Sequence, residues 1–222
     1  MKKWISLLLA AVMVMALPVS ALATEPVRNE YKITTSSGAR IDVAIPRELA
    51  GMVDKRDIVQ LVEGENLKDG ERITIWDVGV AEEPPVPEIQ PQILYTYETD
   101  IFPGGDDKPW ASYFVTSVAR GMTLTLESEF TKTLSITITS GTPYNSALIQ
   151  GSVTAKYTET HQFVGPPEGS PYNSREYRVQ FYYKDAIWFQ KKLDLSGNLL
   201  GSQKGQAKLP TKYLLYSVDH AV

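Results

Sequence analysis

Between Met122 and Ile138 the chain alternates apolar and polar residues almost without a break. The even positions carry Met122, Leu124, Leu126, Phe130, Leu134, Ile136 and Ile138, with Ser128 and Lys132 as the exceptions. Every odd position from Thr123 to Thr139 is Thr, Ser or Glu. A period of two places successive side chains on opposite faces of a strand, so this stretch predicts one long two-faced strand. Strands usually run about 5–6 residues, and the excess length predicts a bulge near Ser128 or a bend between sheets. Turn-forming residues follow in Ser140–Ala147, with Gly141, Pro143 and Asn145. The alternation then returns. Ser152, Thr154, Lys156, Thr158, Thr160 and Gln162 take one face, and Val153, Ala155, Tyr157, His161 and Phe163 take the other. The two runs are expected to form a long hairpin across residues 121–163.

The same period marks most of the chain after residue 93. "ILYTYETDIF" reads as a strand, "PGGDDKP" as a loop and "WASYFVTSVARG" as a further strand. After the loop "VGPPEGSPYNS", the run from Arg175 carries Tyr177, Val179, Phe181, Tyr183, Ile187 and Phe189 on its odd face, and a turn is expected near Lys184–Asp185. "GNLLGSQKGQAKLP" reads as a Gly-rich turn region before a last strand, "TKYLLYSV". No helix is predicted beyond residue 93. Upstream, two strands flank a turn at Ser36-Ser37-Gly38. Leu49, Met52, Val53, Ile58, Leu61 and Val62 then fall near helical spacing, with Pro46 at the expected start and Gly51 dividing the helical region. An Asp69–Gly70 turn leads into a strand with Ile73, Ile75 and Trp76. "AEEPPVPEIQPQ" (81–92) has the composition of an extended linker. The expected organisation is a leader (1–23), a small acidic α+β segment (24–80), the Pro/Glu-rich linker (81–92) and an antiparallel β-domain (93–222). The fold class is mainly β: a sandwich or elongated domain of about six to eight strands built around a long amphipathic hairpin.

The first residues refine the setting. Lys2 and Lys3 precede an apolar run from Trp4 to Leu17. Pro18 follows, and then Ala21-Leu22-Ala23. This is the layout of a secretory signal peptide with cleavage after Ala23. The run is shorter than the roughly 20 residues a membrane-spanning helix needs. The chain has no Cys, so an exported form depends on its packed core and not on disulfides. Together these features read as a secreted, extracellular bacterial protein. Net charge is −4. The acidic excess lies upstream of residue 93, and residues 93–222 carry 12 acidic and 12 basic side chains. No domain-wide basic field exists for nucleic acid. The local exception, Lys191, Lys192, Lys204, Lys208 and Lys212 against Asp194, is read as a solvated edge, with contact to anionic lipid or wall polymer as the functional alternative.

Little catalytic chemistry is visible. The two histidines, His161 and His220, are far apart in sequence. His161 reads as half-buried and His220 as part of a loose terminus. There is no thiol, no nucleophile elbow and no phosphate-binding Gly-rich loop. Asp100, Asp106 and Asp107 surround a Gly-rich stretch whose spacing does not fit an EF-hand loop, and they read as a polar turn. No metal or cofactor is expected, and enzymatic activity is disfavoured without being excluded. The aromatics offer more. Tyr182 and Trp188 fall on the otherwise polar face of their strand, and Tyr172 and Trp110 lie in or beside loops. Exposed rings on a rigid sheet stack on sugars or anchor protein partners, so these four are the candidate binding residues. The competing expectation is that the N-terminal segment or another strand covers them.

The alternation of residues 121–163, and nothing else in the chain, resembles the Ser/Thr-rich hairpins of aerolysin-like pore-forming toxins. That resemblance implies a membrane-inserting element, apolar to lipid and polar to a lumen. Against it, Lys132, Glu159 and His161 lie on the face that would meet lipid. The preferred expectation is an exported, non-enzymatic β-protein binding a surface, glycan or protein partner. A β-pore former or membrane-active protein is the alternative, and membrane contact belongs to that alternative alone.

Overall fold

The computed structural model describes residues 28–81, 95–133, 135–140, 152–157 and 161–221. The expected leader and most of the Pro/Glu-rich linker lie outside them. The described residues form eleven strands and one helix: β1 (Arg28–Thr34), β2 (Arg40–Pro46), α1 (Lys55–Gly64), β3 (Arg72–Val80), β4 (Thr96–Ala119), β5 (Thr123–Thr125), β6 (Ser128–Thr133), β7 (Ser135–Ser140), β8 (Ser152–Tyr157), β9 (Gln162–Val164), β10 (Tyr172–Leu193) and β11 (Leu199–Ala221).

The fold is mainly β. One large sheet has the order β1-β2-β3-β11-β10-β4, and β7 pairs with the same edge of β11 as β3, farther along it. All its pairs are antiparallel except β2–β3. That parallel pair is joined through α1, as parallel strands require a crossover. The acidic N-terminal segment therefore belongs to the same sheet as the C-terminal strands, because β3 pairs with β11 from Arg72↔Asp219 to Val80↔Lys212.

Three strands dominate. β4, β10 and β11 have 24, 22 and 23 residues, a length of roughly 75 Å at ~3.3 Å per residue. Where β3 pairs with β11, the sheet is covered on both faces. On one face α1 lays Ile58, Leu61 and Val62 against Ile41, Val43, Ile73, Ile75, Tyr182, Leu214 and Tyr216. On the other, Tyr177, Val179, Phe181, Tyr213 and Leu215 meet Ala155 and Phe163, with Leu126 and Phe130 packed alongside.

The cover on this second face is the expected hairpin. β5 pairs with β9 (Leu124↔Phe163) and β6 with β8 (Phe130↔Ala155). The single strand predicted from Met122 to Ile138 is divided, with a break after Thr125. β7 leaves the hairpin to pair with β11, Ile136 opposite Ala207. The odd-numbered Thr, Ser and Glu side chains from Thr123 to Thr137 are exposed to solvent. Lys132, the charge on the apolar side, is half-buried with its Nζ 5.0 Å from the Tyr113 ring centroid and 5.6 Å from that of Trp110. A cation over aromatic faces is attracted by their quadrupoles, so its aliphatic stem packs inward at modest cost. The turn expected at Ser140–Ala147 lies outside the described residues, apart from Ser140.

Several expectations are corrected. "PGGDDKP" is not a loop between strands but part of β4. Tyr183 pairs with Lys108 and Asp185 with Gly104, so Gly105, Asp106 and Asp107 together face Lys184 alone. This wide bulge, with Gly105 at φ +72°, absorbs the turn-forming residues without ending the strand. β10 shows no turn at Lys184–Asp185 and runs straight through. The Gly-rich stretch is mostly β11, and the reversal is confined to residues 194–198, where the Asp194 carboxylate accepts N–H bonds from Ser196 (2.9 Å) and Asn198 (2.8 Å). Gly205 serves close packing: a Cβ there would lie 1.7 Å from the Thr137 carbonyl oxygen and 2.7 Å from Trp188 Nε1. Pro46 ends β2 and does not start the helix. α1 begins instead after Asp54, whose N–H donates to the Asp57 carboxylate at 3.0 Å, as at a capped N-terminus. His220 is held in β11, with Nδ1 2.9 Å from Glu71 Oε1.

Candidate binding face

The four aromatics singled out by sequence do not form a surface. Tyr182 and Trp188 are both fully buried, and their expected exposure is corrected here. The N-terminal segment covers Tyr182, which joins the core beneath α1. Trp188 lies across Gly205 and donates from Nε1 to the Thr137 carbonyl at 3.2 Å. Trp110 is half-buried on the opposite face, edge-on to Tyr183 with 5.4 Å between centroids. Tyr172 stands at the far end of β10, its hydroxyl donating to the Gly70 carbonyl at 3.1 Å. The polar residues flanking Tyr182 and Trp188 made their face look solvated, but Gln180, Gln190 and Lys212 are buried with them. Gln203 Nε2 donates to Gln190 Oε1 at 2.7 Å, and Gln190 Nε2 to Thr99 Oγ1 at 2.9 Å.

The face left open is the other one. Past Tyr183 none of the described hairpin strands lies above the odd positions of β10. Here β4, β10, β11 and β7 form a four-stranded arm, and cross-strand register fixes what its surface shows. Ile187 lies between Phe102 on β4 and Gln206 on β11, and Gln206 lies beside Thr137 on β7. Asp185 lies between Gly104 and Lys208, beside Ser135. These residues, with Gly105, Ala186 and Ala207, line a cavity of about 620 Å³. Phe102 is 58% and Ile187 59% exposed. Around them the charges are polarised by strand. Glu98 and Asp100 lie on β4, and Lys204 and Lys208 on β11, all exposed. Asp185 pairs with Lys108 beside the cavity, and Lys208 Nζ lies 4.8 Å from the Tyr183 ring centroid. Side-by-side apolar residues on a rigid sheet, rimmed by hydrogen-bonding groups, are suited to holding a partner.

The carboxylates of the Gly-rich stretch have cation partners. Asp106 pairs with Arg56 of α1, whose hydrogen bond and charge hold the Asp106 carboxyl below its ordinary range. Asp107 lies 3.1 Å from Lys212, which also donates to Asp57 at 2.6 Å. Burial opposes the charge on Lys212, but its two carboxylate partners raise its pKa above the ordinary lysine value. Among the described residues no three His, Asp or Glu side chains converge in a way that would hold a metal ion. The Lys191–Lys212 stretch is divided by strand geometry: Lys204 and Lys208 are exposed, Lys191 lies 3.7 Å from Glu98, and Lys212 is buried.

Sequence reasoning missed Phe102 and Ile187. Ile187 sits in apolar phase with the buried Tyr177, Val179 and Phe181, so periodicity alone assigns it to the interior, while Phe102 shares its phase with the exposed Glu98 and Asp100. The signal that separates Ile187 from those core residues is length. The described hairpin strands that cover β10 are far shorter than β10 itself, so they leave part of its apolar face uncovered. Comparison of the chain with known protein families, characterised proteins and solved structures gives no match.

Proposed function

We propose that this is an exported, non-enzymatic β-protein that binds a cell-surface, glycan or protein partner through the open face of the arm. The observation that carries this reading is the pair of adjacent exposed apolar side chains, Phe102 and Ile187, at the cavity on an otherwise regular sheet. Soluble monomers rarely leave contiguous apolar area on a rigid surface unless it meets something. The leader-like N-terminus, with its Lys2-Lys3 start and Ala21-Leu22-Ala23, supports export and with it a partner outside the cell. The threonine-rich hairpin contributes the scaffold: its apolar side packs on the sheet and its polar side faces water.

The test compares wild type with a Phe102→Thr/Ile187→Thr double variant on glycan arrays and on intact bacterial cells. Threonine keeps strand propensity while removing the apolar surface. Loss of binding in the variant supports the face. Equal binding by both proteins removes it as the ligand site. N-terminal sequencing of the protein recovered from culture medium is expected to begin at Thr24.

A further inference from the structure

The open face is polarised across its strands, and the polarity matches itself. We propose that its occupant is a second copy of this chain, packed face to face about a two-fold axis running along β10. This rests on the arm being the binding face. With the axis along β10, Ile187 and Phe189 meet their own counterparts. Each copy's β4 then lies over the other's β11. Asp100 and Lys204 are both register partners of Phe189, so they stand at the same level on either side of the axis. The rotation brings Asp100 of each copy over Lys204 of the other, with Glu98 one step along the strand on the same acidic edge. A two-fold axis across the strands would instead set β4 on β4, carboxylate against carboxylate. An isologous interface must be self-complementary: the first arrangement is so along its rim, and on its axis Asp185, paired with Lys108, and Lys191, 3.7 Å from Glu98, meet their own counterparts with their charges already offset. Opposite charges at the rim fix orientation more than they add affinity.

The size of the face sets the strength. Four strands at ~4.8 Å spacing and about seven residues of length give roughly 450 Å² per copy, about half the ~800 Å² per partner of a standard interface. The dimer is therefore weak, concentration-dependent and loosened by salt.

Sedimentation equilibrium from about 10 μM to about 1 mM covers weak, micromolar-to-millimolar association. Wild type is expected to reach a monomer–dimer equilibrium in that range. Asp100→Lys and Lys204→Asp are each expected to weaken it at least tenfold, and mixing the two variants is expected to restore a heterodimer. A wild type that stays monomeric throughout overturns the proposal. So does a dimer unaffected by Ile187→Asp, or a failure of the mixed variants to recover. If wild type is monomeric while Phe102→Thr/Ile187→Thr still abolishes glycan or cell binding, the second copy is refuted and the binding face stands. If the charge-swapped pair dimerises while the double-threonine variant binds glycans and cells as wild type does, the face is a self-interface alone.

Discussion

β10 carries the same two-faced alternation from Tyr177 to Phe189, yet its two halves have opposite fates. In the proximal half Val179 and Phe181 are fully buried beneath the hairpin, while six residues beyond Phe181 on the same face Ile187 is 59% exposed. Strand, face and residue class are alike. The difference is supplied by another part of the chain, the β5–β9 and β6–β8 hairpin, whose described strands cover the first half and not the second. A strand's alternation states which residues can face a core. Whether they do depends on how far the covering layer reaches.

The sharpest way to separate the halves is to remove a ring from each. Phe181→Ala is expected to cost about 4 kcal/mol, since a fully buried ring is lost and a cavity remains. Phe102→Ala removes a ring already 58% exposed and is expected to cost less than about 1 kcal/mol. Urea unfolding of both variants checks the pair. Similar losses would mean that the arm is covered in solution.

The halves meet at a junction built from irregularities. Thr211 is the extra residue where β11 shifts register against β10, and Gly105-Asp106-Asp107 bulge from β4. Lys212, 7% exposed, joins the Asp57 carboxylate near the start of α1 to Asp107 of the bulge. Lys212→Met strands two carboxylates without their cation and is expected to cost roughly 3 kcal/mol. The pH dependence has a definite sign. Because the folded pKa of Lys212 is raised, its contribution is complete below the ordinary lysine range of about 10.4. It is lost as pH rises through the raised value. Burial likewise raises the phenols of Tyr182, Tyr213 and Tyr216, so both proteins weaken above about pH 10. The stability gap between wild type and Lys212→Met is expected to hold from pH 7 to 9 and to narrow beyond about pH 10. A gap that closes between pH 7 and 9 would assign the stabilisation to another group.

The sheet and its hairpin were legible because they rest on local alternation, which a strand cannot hide. The βαβ crossover was half legible: strands and helix were visible, but the parallel β2–β3 pairing is a long-range choice. Gly and Pro misled in three places. Gly104-Gly105, Gly201 and Gly205 read as turns, while the chain uses them for a bulge and for strand continuation, with Gly205 giving close approach to Trp188. Misreading those positions cut β4 and β11 short, the turn expected at Lys184–Asp185 cut β10, and together they concealed the arm. The candidate site failed for a related reason. Tyr182 and Trp188 looked exposed because their neighbours Gln180, Lys184 and Gln190 are polar, and a polar residue buried with a hydrogen-bond partner has the same spelling as one in water.

The smallest expected effect is the most discriminating. Ile187→Thr exchanges one β-branched residue for another, so strand propensity is nearly unchanged. Ile187 is mostly exposed within one copy, so the monomer should keep its stability to within about 0.5 kcal/mol. The same exchange at a buried site on β3, Ile75→Thr, would place a hydroxyl in the core beneath α1 and cost several times more. Dilute thermal unfolding, well below the concentration at which copies meet, reads the monomer alone. A near-zero shift for Ile187→Thr there, together with lost association when concentrated, would show that the arm's apolar residues contribute between molecules and not within one. A shift as large as that of Ile75→Thr would mean that part of the chain closes over the arm in solution. The two halves of β10 would then differ only in which segment covers them.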